Sequence, residues 1–110
     1  MNMDMNTKRE VENFVSHLKN PVIFPGIFQI DINSYIRILQ QKINRKQINR
    51  KQFTAYDLLK KRVTEEGHLI NVTNANVISQ STNKIWREMS STQKNVFVNY
   101  VRQIRSIIRN

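Results

Sequence analysis

Apolar side chains recur at every third or fourth position in five stretches of the chain, which is the spacing of an amphipathic α-helix. These stretches predict helices at about 10–19, 31–43, 54–66, 75–88 and 91–108. Either Asp31 or Asn33 can cap the second helix, because both side chains accept hydrogen bonds from backbone N–H groups. With two glycines and two prolines in all, the chain favours long helices over the many turns of a β fold. The predicted fold class is all-α.

The segments between these helices carry proline, glycine and polar residues. Residues 1–9 are predicted to be a frayed leader, and Pro21 ends the first helix. The segment 22–30 is apolar but contains a Pro-Gly pair, so an extended or turn-like conformation is expected. Gly67 is predicted to end the third helix in a left-handed cap. Residues 71–76 form a polar connection with the composition of a turn.

Two helix starts carry the pattern of a capping box. Thr54 is followed three residues later by Asp57, whose carboxylate can accept from the Thr54 backbone N–H. Ser90 is followed by Gln93 at the same spacing. These pairs place the starts of the third and fifth predicted helices.

Charge divides the chain into two unequal parts. Residues 1–41 carry no net charge, whereas residues 42–110 carry the whole excess of +10. The basic part opens with a direct repeat of Ile-Asn-Arg-Lys-Gln at 43–47 and 48–52, which suits phosphate contact, a nuclear import signal or a solvated linker. A folded basic module with a polyanionic partner is the first hypothesis, and a basic surface that only aids solubility is the alternative.

Several functional classes are not expected. Cysteine is absent, and His17 and His68, the only histidines, lie far apart, so neither a metal site nor a cofactor is predicted. The sequence offers no nucleophile–base pair and no phosphate-binding glycine loop, so neither an enzyme nor a small-molecule substrate is expected. No apolar run approaches the roughly 20 residues of a membrane span, and the N-terminus lacks the pattern of a signal peptide.

The order of residues from Ile78 to Ile108 resembles that of an HMG box. The matching positions are Ile78-Ser79, Lys84-Ile85-Trp86-Arg87, Met89-Ser90, Gln93-Lys94, Phe97, and Arg102 with Arg105. Upstream, Phe53-Thr54-Ala55-Tyr56 resembles the start of the box, with Arg50 and Lys51 as the preceding basic residues. The chain is most similar to the single-box branch of sex-determining and fungal mating-type factors.

This resemblance implies an L-shaped, three-helix DNA-binding domain over 46–110, preceded by a partly helical extension, 1–45, of unknown role. It implies a nuclear transcription regulator of the mating-type kind that binds the minor groove of double-stranded DNA and bends it. Residues 10–43 either pack on the box or bind a protein partner. The alternatives are a non-sequence-specific architectural protein and a protein-interaction module whose box has lost DNA binding.

The resemblance assigns candidate DNA contacts in the first two helices of the box. Tyr56 matches the aromatic wedge of the family, with a plain core position as the alternative. Thr54 matches the asparagine that reads base edges. Asn76 and Ser79 match polar minor-groove contacts, or else they cap the start of their helix.

Phosphate contacts and core positions follow from the same comparison. The residues placed against phosphates are Arg50, Lys51, Lys61 and Arg62. Trp86 and Phe97 are expected as the main core side chains, with the stem of Lys94 lying along the aromatic rings. Arg105 suits either a phosphate or the helix dipole.

The sequence departs from the family pattern at two of these positions. Asp57 stands where the family has a second apolar wedge, so either it caps the helix while Tyr56 or Leu58 acts as the wedge, or intercalation is weak. Thr54 cannot make the two-pronged adenine contact of an asparagine, which reduces the expected sequence specificity.

Overall fold

The computed structural model describes residues 4–108, apart from the side chain of Arg50. Within that range the chain forms α-helices and no strand, as the all-α prediction requires. The helices are α1 (Met5–Leu18), α2 (Phe24–Ile27), α3 (Ile32–Asn44), α4 (Ala55–Leu69), α5 (Ala75–Glu88) and α6 (Ser91–Ile107). A short 3₁₀ turn, Arg50–Gln52, precedes α4. All five helices predicted from the apolar spacing are present.

The predicted frayed leader is wrong for residues 4–9, which belong to α1 and its cap. The Asp4 carboxylate accepts a hydrogen bond of 2.7 Å from the backbone N–H of Thr7, which satisfies a donor at the start of the helix. That bond also lowers the pKa of Asp4. Residues 1–3 of the predicted leader lie outside the described range.

Of the two conformations predicted for 22–30, the turn-like one forms, with α2 as a single helical turn at its centre. Pro25 lies in the first turn of α2, where a helix needs no N–H donor and the fixed φ of proline fits. The turn carries Ile27 into the interior, where its side chain is fully buried. A helical turn therefore serves to bury an apolar residue.

The left-handed cap predicted for Gly67 is also wrong, because α4 continues past it to Leu69. Gly67 is needed for close approach: a Cβ there would lie 2.6 Å from the Val72 carbonyl oxygen and 2.9 Å from Ile78 Cδ1. The left-handed residue of this connection is Asn71, with φ of 62°. Asparagine tolerates that conformation better than most residues.

The caps of the helices confirm both predicted capping boxes and decide two points that the sequence left open. Both capping boxes form, at Thr54 for α4 and at Ser90 for α6. Asp31, and not Asn33, caps α3. Asn74 caps α5 through bonds to its first backbone N–H groups, so Asn76 and Ser79 lie inside that helix and do not cap it.

One apolar core joins the helices before residue 46 to those after it. α1 packs along α5, α2 on α4, and α3 on α6, while α4 contacts both α5 and α6. The largest fully buried side chains come from both parts of the chain: Phe14, Leu18, Ile27, Leu39, Leu58, Leu59, Ile85, Phe97 and Ile104. The N-terminal segment therefore packs on the basic helices.

Candidate nucleic-acid interface

Tyr56 joins the first turn of α4 to the middle of α5. Its hydroxyl donates a hydrogen bond to Asn83 Oδ1. Its ring meets the ring of Trp86 edge to face, with centroids 6.1 Å apart and planes at 87°. Burial raises the pKa of the Tyr56 hydroxyl, and the charge of Asp57 adds to the effect. The ring is thus held in a defined position while remaining partly exposed.

The two residues of α5 that contact Tyr56 share one face of that helix with two other polar residues. Asn76, Ser79, Asn83 and Trp86 are spaced by three and four residues, so they share a face of the helix. Asn76 and Asn83 are exposed, and Ser79 and Trp86 are partly buried. We call these four residues with Tyr56 the α5 face. The sequence analysis missed Asn83, although its spacing from Asn76 and Ser79 is a helical one.

Thr54 and Asp57 are bonded to each other at the edge of this face. The Thr54 hydroxyl donates to Asp57 Oδ2 at 2.9 Å, and the same carboxylate oxygen accepts from the Thr54 backbone N–H at 2.9 Å. The hydroxyl also accepts from the Asp57 backbone N–H. Asp57 therefore takes part in the cap of α4, which is the capping role that the sequence analysis gave as one alternative.

Trp86 is less buried than the sequence analysis predicted. Phe97 is fully buried, as expected for a core residue, whereas Trp86 packs against the core with part of its ring exposed. The Lys94 ammonium lies 5.1 Å from the Trp86 ring centroid, which is a cation–π arrangement. The structure thus places the Lys94 ammonium over one ring, whereas the sequence predicted its stem along both aromatic rings.

Arg62 lies away from the α5 face, in a network within the protein. Its guanidinium donates to the Gly26 carbonyl oxygen at 2.8 Å, to Glu66 Oε1 at 3.0 Å and to Glu65 Oε1 at 3.2 Å. Its side chain is 14% exposed. The predicted phosphate contact is thus replaced by a bond that ties α2 to α4, a long-range role that local sequence does not reveal.

Lys61, a predicted phosphate contact, also lies away from the α5 face. It lines a pocket between α3 and α4, together with Lys42 and Glu65. Burial lowers the pKa of Lys61, and the positive charge of Lys42 lowers it further. The structure therefore brings Thr54, Tyr56, Asn76 and Ser79 to the region of the α5 face, but not Lys61.

The segment before α4 is held by the last helix. Arg105 donates to the Lys51 carbonyl oxygen at 3.2 Å and also to that of Phe53. Arg105 therefore binds the chain itself, and its position in the last turn of α6 also agrees with the dipole role considered from sequence. The Lys51 side chain is exposed, as a phosphate contact requires, and the Arg50 side chain lies outside the description.

The charge on α5 and α6 is almost entirely positive. From residue 67 onward Glu88 is the only acid in the sequence, and it pairs with Lys19 of α1. The basic side chains on these two helices, other than Arg105, are Lys84, Arg87, Lys94 and Arg102. A positive potential therefore accompanies the α5 face, which attracts polyanions.

Two other kinds of feature, a metal-ion cluster and a membrane-spanning helix, are not found in residues 4–108. No cluster of three or more histidine, aspartate and glutamate side chains there can hold a metal ion. None of the helices described is both long enough and apolar enough to span a bilayer. Comparison with protein-family models, curated proteins and solved structures finds no match to this chain.

Proposed function

We propose that the protein is a nuclear DNA-binding regulator of HMG-box type, of the mating-type kind, whose α5 face contacts the minor groove and bends the duplex. The observation that carries the proposal is Tyr56, a partly exposed aromatic ring held in place by Asn83 and Trp86. It borders polar side chains on a strongly basic pair of helices. This combination fits an aromatic side chain that inserts between base pairs, with polar side chains for groove contacts and basic side chains for phosphates beside it.

The position of Tyr56 supports its role as the wedge. Unstacking a base step costs a few kcal/mol, which is offset when the bent duplex wraps more basic protein surface. A ring fixed in advance by Asn83 and Trp86 loses little side-chain freedom on binding. The Asp57 carboxylate accepts hydrogen bonds from the Thr54 backbone N–H and hydroxyl, so its negative charge is held at the start of α4.

The arrangement of the helices supports an L-shaped box. α4 packs against both α5 and α6, and the α5–α6 connection consists of Met89 and Ser90 alone. A short connection between helices that share one neighbour is the arrangement expected for the two arms of such a domain.

The phosphate-contacting set differs from the one predicted by sequence. Arg62 is bonded within the protein and Lys61 lines the α3–α4 pocket, so we assign the contacts to Lys51, Arg87 and Lys94. Lys51 lies in the turn that precedes α4, Arg87 directly follows Trp86, and the Lys94 ammonium lies over the Trp86 ring. Each phosphate neutralised by such a side chain adds about −0.9 to the slope of log K against log salt.

A non-specific architectural protein is the second candidate, and Thr54 favours it. The Thr54 hydroxyl is engaged with the Asp57 carboxylate, so it offers little for reading a base edge. An architectural protein of this kind binds by charge and by DNA deformability and needs no base-specific contact.

The decisive experiment measures affinity and bending with the full chain. Fluorescence anisotropy on a short A·T-rich duplex gives the affinity as a function of salt, and energy transfer between labelled duplex ends gives the bend. Tyr56→Ala should reduce the bend more than it reduces low-salt affinity, whereas Tyr56→Phe keeps the wedge and should bend DNA as the natural protein does. Arg87→Ala should weaken binding, and Arg37→Ala, on the electrically neutral half, is its matched control.

Absence of binding at low salt by the folded protein would refute the proposal. Equal loss of affinity from Arg87→Ala and Arg37→Ala would show that net charge, and not this surface, attracts the duplex. Competition by a scrambled duplex separates the two candidates, because equal competition identifies the architectural protein.

A further inference from the structure

A second concave site lies beside α4, and none of the residues of the α5 face lines it. It is a pocket of about 610 Å³ between α3 and α4, within the size range of small-ligand sites. Leu39 and Phe53, which are buried, form its apolar floor, and Ile38 and Ile48 form its sides. Ile38 remains 41% exposed, so the pocket presents apolar surface to solvent.

The two ends of this pocket are lined by different parts of the chain. At one end the Tyr35 hydroxyl of α3 donates to Glu65 Oε1 of α4 at 2.5 Å. At the other end Ile48 and Gln52, which precede α4, line the wall. The volume of the pocket lies in the range of small-molecule sites, which favours a small molecule as its occupant.

The basic and the acidic side chains around the pocket differ in whether they have bonding partners. Lys42, Lys60 and Lys61 line it, and no ion pair is found for any of them among the described residues. The two acids of the lining are engaged elsewhere: Asp57 with Thr54, and Glu65 with Tyr35 and Arg62.

Two of these lysines also repel each other. The positive charge of Lys42, together with burial, lowers the pKa of Lys61. The charges of Glu65 and Asp57 act on the pKa of Lys61 in the opposite sense, and an anion between the two ammonium groups would add to that compensation. Recognition of an anion by two ammonium groups beside an apolar floor is the chemistry of an amphipathic acid.

We propose that the α3–α4 pocket binds a small amphipathic carboxylate. Its apolar body lies on Leu39, Phe53 and Ile38, and its carboxylate lies between Lys42 and Lys61. The proposal concerns binding of the ligand and assigns it no reaction. The pocket is built from α3 and α4 and does not use the α5 face, so this site stands independently of DNA binding.

Decanoate is a suitable probe, with 1-decanol as the uncharged analogue of the same length. Calorimetric titration of the full chain gives the affinities, and amide chemical shifts in NMR locate the site. We expect saturable decanoate binding that shifts the amides of α3 and α4. We expect 1-decanol to bind at least about tenfold more weakly, because charge-assisted hydrogen bonds are lost.

Two variants with the same net charge separate the pocket from general attraction to a basic protein. Lys61→Met keeps much of the apolar stem and should weaken decanoate binding about tenfold. Lys84→Met, on α5, should leave it unchanged. Thermal unfolding checks that both variants are folded, and Lys42→Met provides a second test if Lys61→Met is not.

Three results would overturn the proposal. The first is equal affinity for decanoate and 1-decanol, and the second is an equal effect of Lys61→Met and Lys84→Met. The third is tighter binding of a Glu- and Leu-rich helical peptide than of decanoate at the same amides, which would identify a protein partner. Lack of saturable decanoate binding by the folded natural chain would refute it as well.

Discussion

The helices before residue 46 and those after it contribute alike to the core but differ sharply in charge. Phe14 and Ile27 from the first part are as deeply buried as Leu58 and Phe97 from the second. Yet residues 1–45 carry a net charge of +2, and residues 46–110 carry +8. The helices of the first part pack against the basic ones, and the function proposed above assigns the exposed basic side chains to a polyanion.

The two parts meet at several specific contacts. The rings of Phe28 and Phe97 lie with their centroids 5.3 Å apart. Lys19 of α1 pairs with Glu88 of α5, and Arg62 of α4 donates to the Gly26 carbonyl oxygen of α2. Because these contacts involve α1, α2 and the loop after it, the N-terminal segment is part of the folded unit.

The strongest test of this unity is removal of residues 1–45. The deletion takes away Phe14, Leu18, Ile27 and Leu39, each worth about 1.5–3 kcal/mol of burial, from a protein whose stability is expected to be about 5–15 kcal/mol. We expect the remaining chain not to fold cooperatively, as measured by circular dichroism on heating. A cooperative transition at the natural temperature would show that the basic helices are independent.

Single substitutions on either side of the boundary should have similar effects. Phe14→Ala and Phe97→Ala each remove a fully packed ring and should lower the free energy of unfolding by about 3–5 kcal/mol. Urea unfolding followed by circular dichroism and by Trp86 fluorescence checks the values. Both probes should report one transition, and separate transitions would contradict a shared core.

Gly67→Ala probes the point where α1, α4 and α5 come together. The added Cβ would also lie 3.2 Å from Phe14 Cζ, besides its close approach to Val72, and should lower stability by about 1–3 kcal/mol. Gly26→Ala is the control, since nothing lies within 4 Å of a Cβ there. Thermal unfolding of both variants measures the difference, and equal stability would mean that the helices separate without cost.

The smallest effect is expected at the helix caps. Thr54→Ala removes the capping bond of α4 and should lower stability by about 1 kcal/mol, whereas Thr54→Ser should retain most of it. Asp31→Ala removes the corresponding cap of α3 in the neutral half and should act in the same direction. Urea unfolding measures all three, and a larger loss from Thr54→Ser than from Thr54→Ala would contradict the capping role.

The sequence predicted helices best where both ends carry local signals. α5 has the predicted bounds, 75–88, because a polar connection precedes it and the Ser90 capping box follows it. The start of α1 was missed because its cap, Asp4, lies six positions before residue 10, where the helix was expected to begin. α2 was missed because its formation depends on burying Ile27, which is a tertiary effect.

The candidate site shows the same limit. Thr54, Tyr56, Asn76 and Ser79 lie where α4 and α5 meet or along α5, as spacing alone allows. The role of Arg62 depends on Gly26, which is 36 positions away in the chain, and the pairing of Tyr56 with Asn83 spans 27. Local periodicity places a side chain on a face of its own helix but does not say which neighbour that face meets.

The hydrogen bonds from Arg105 to the Lys51 and Phe53 carbonyl oxygens have a consequence for folding during synthesis. A side chain near the end of α6 holds a segment made 54 residues earlier. The segment before α4 therefore cannot gain these bonds until Arg105 has left the ribosome. Until then, only local contacts such as the Asn49 and Thr54 capping boxes can hold that segment.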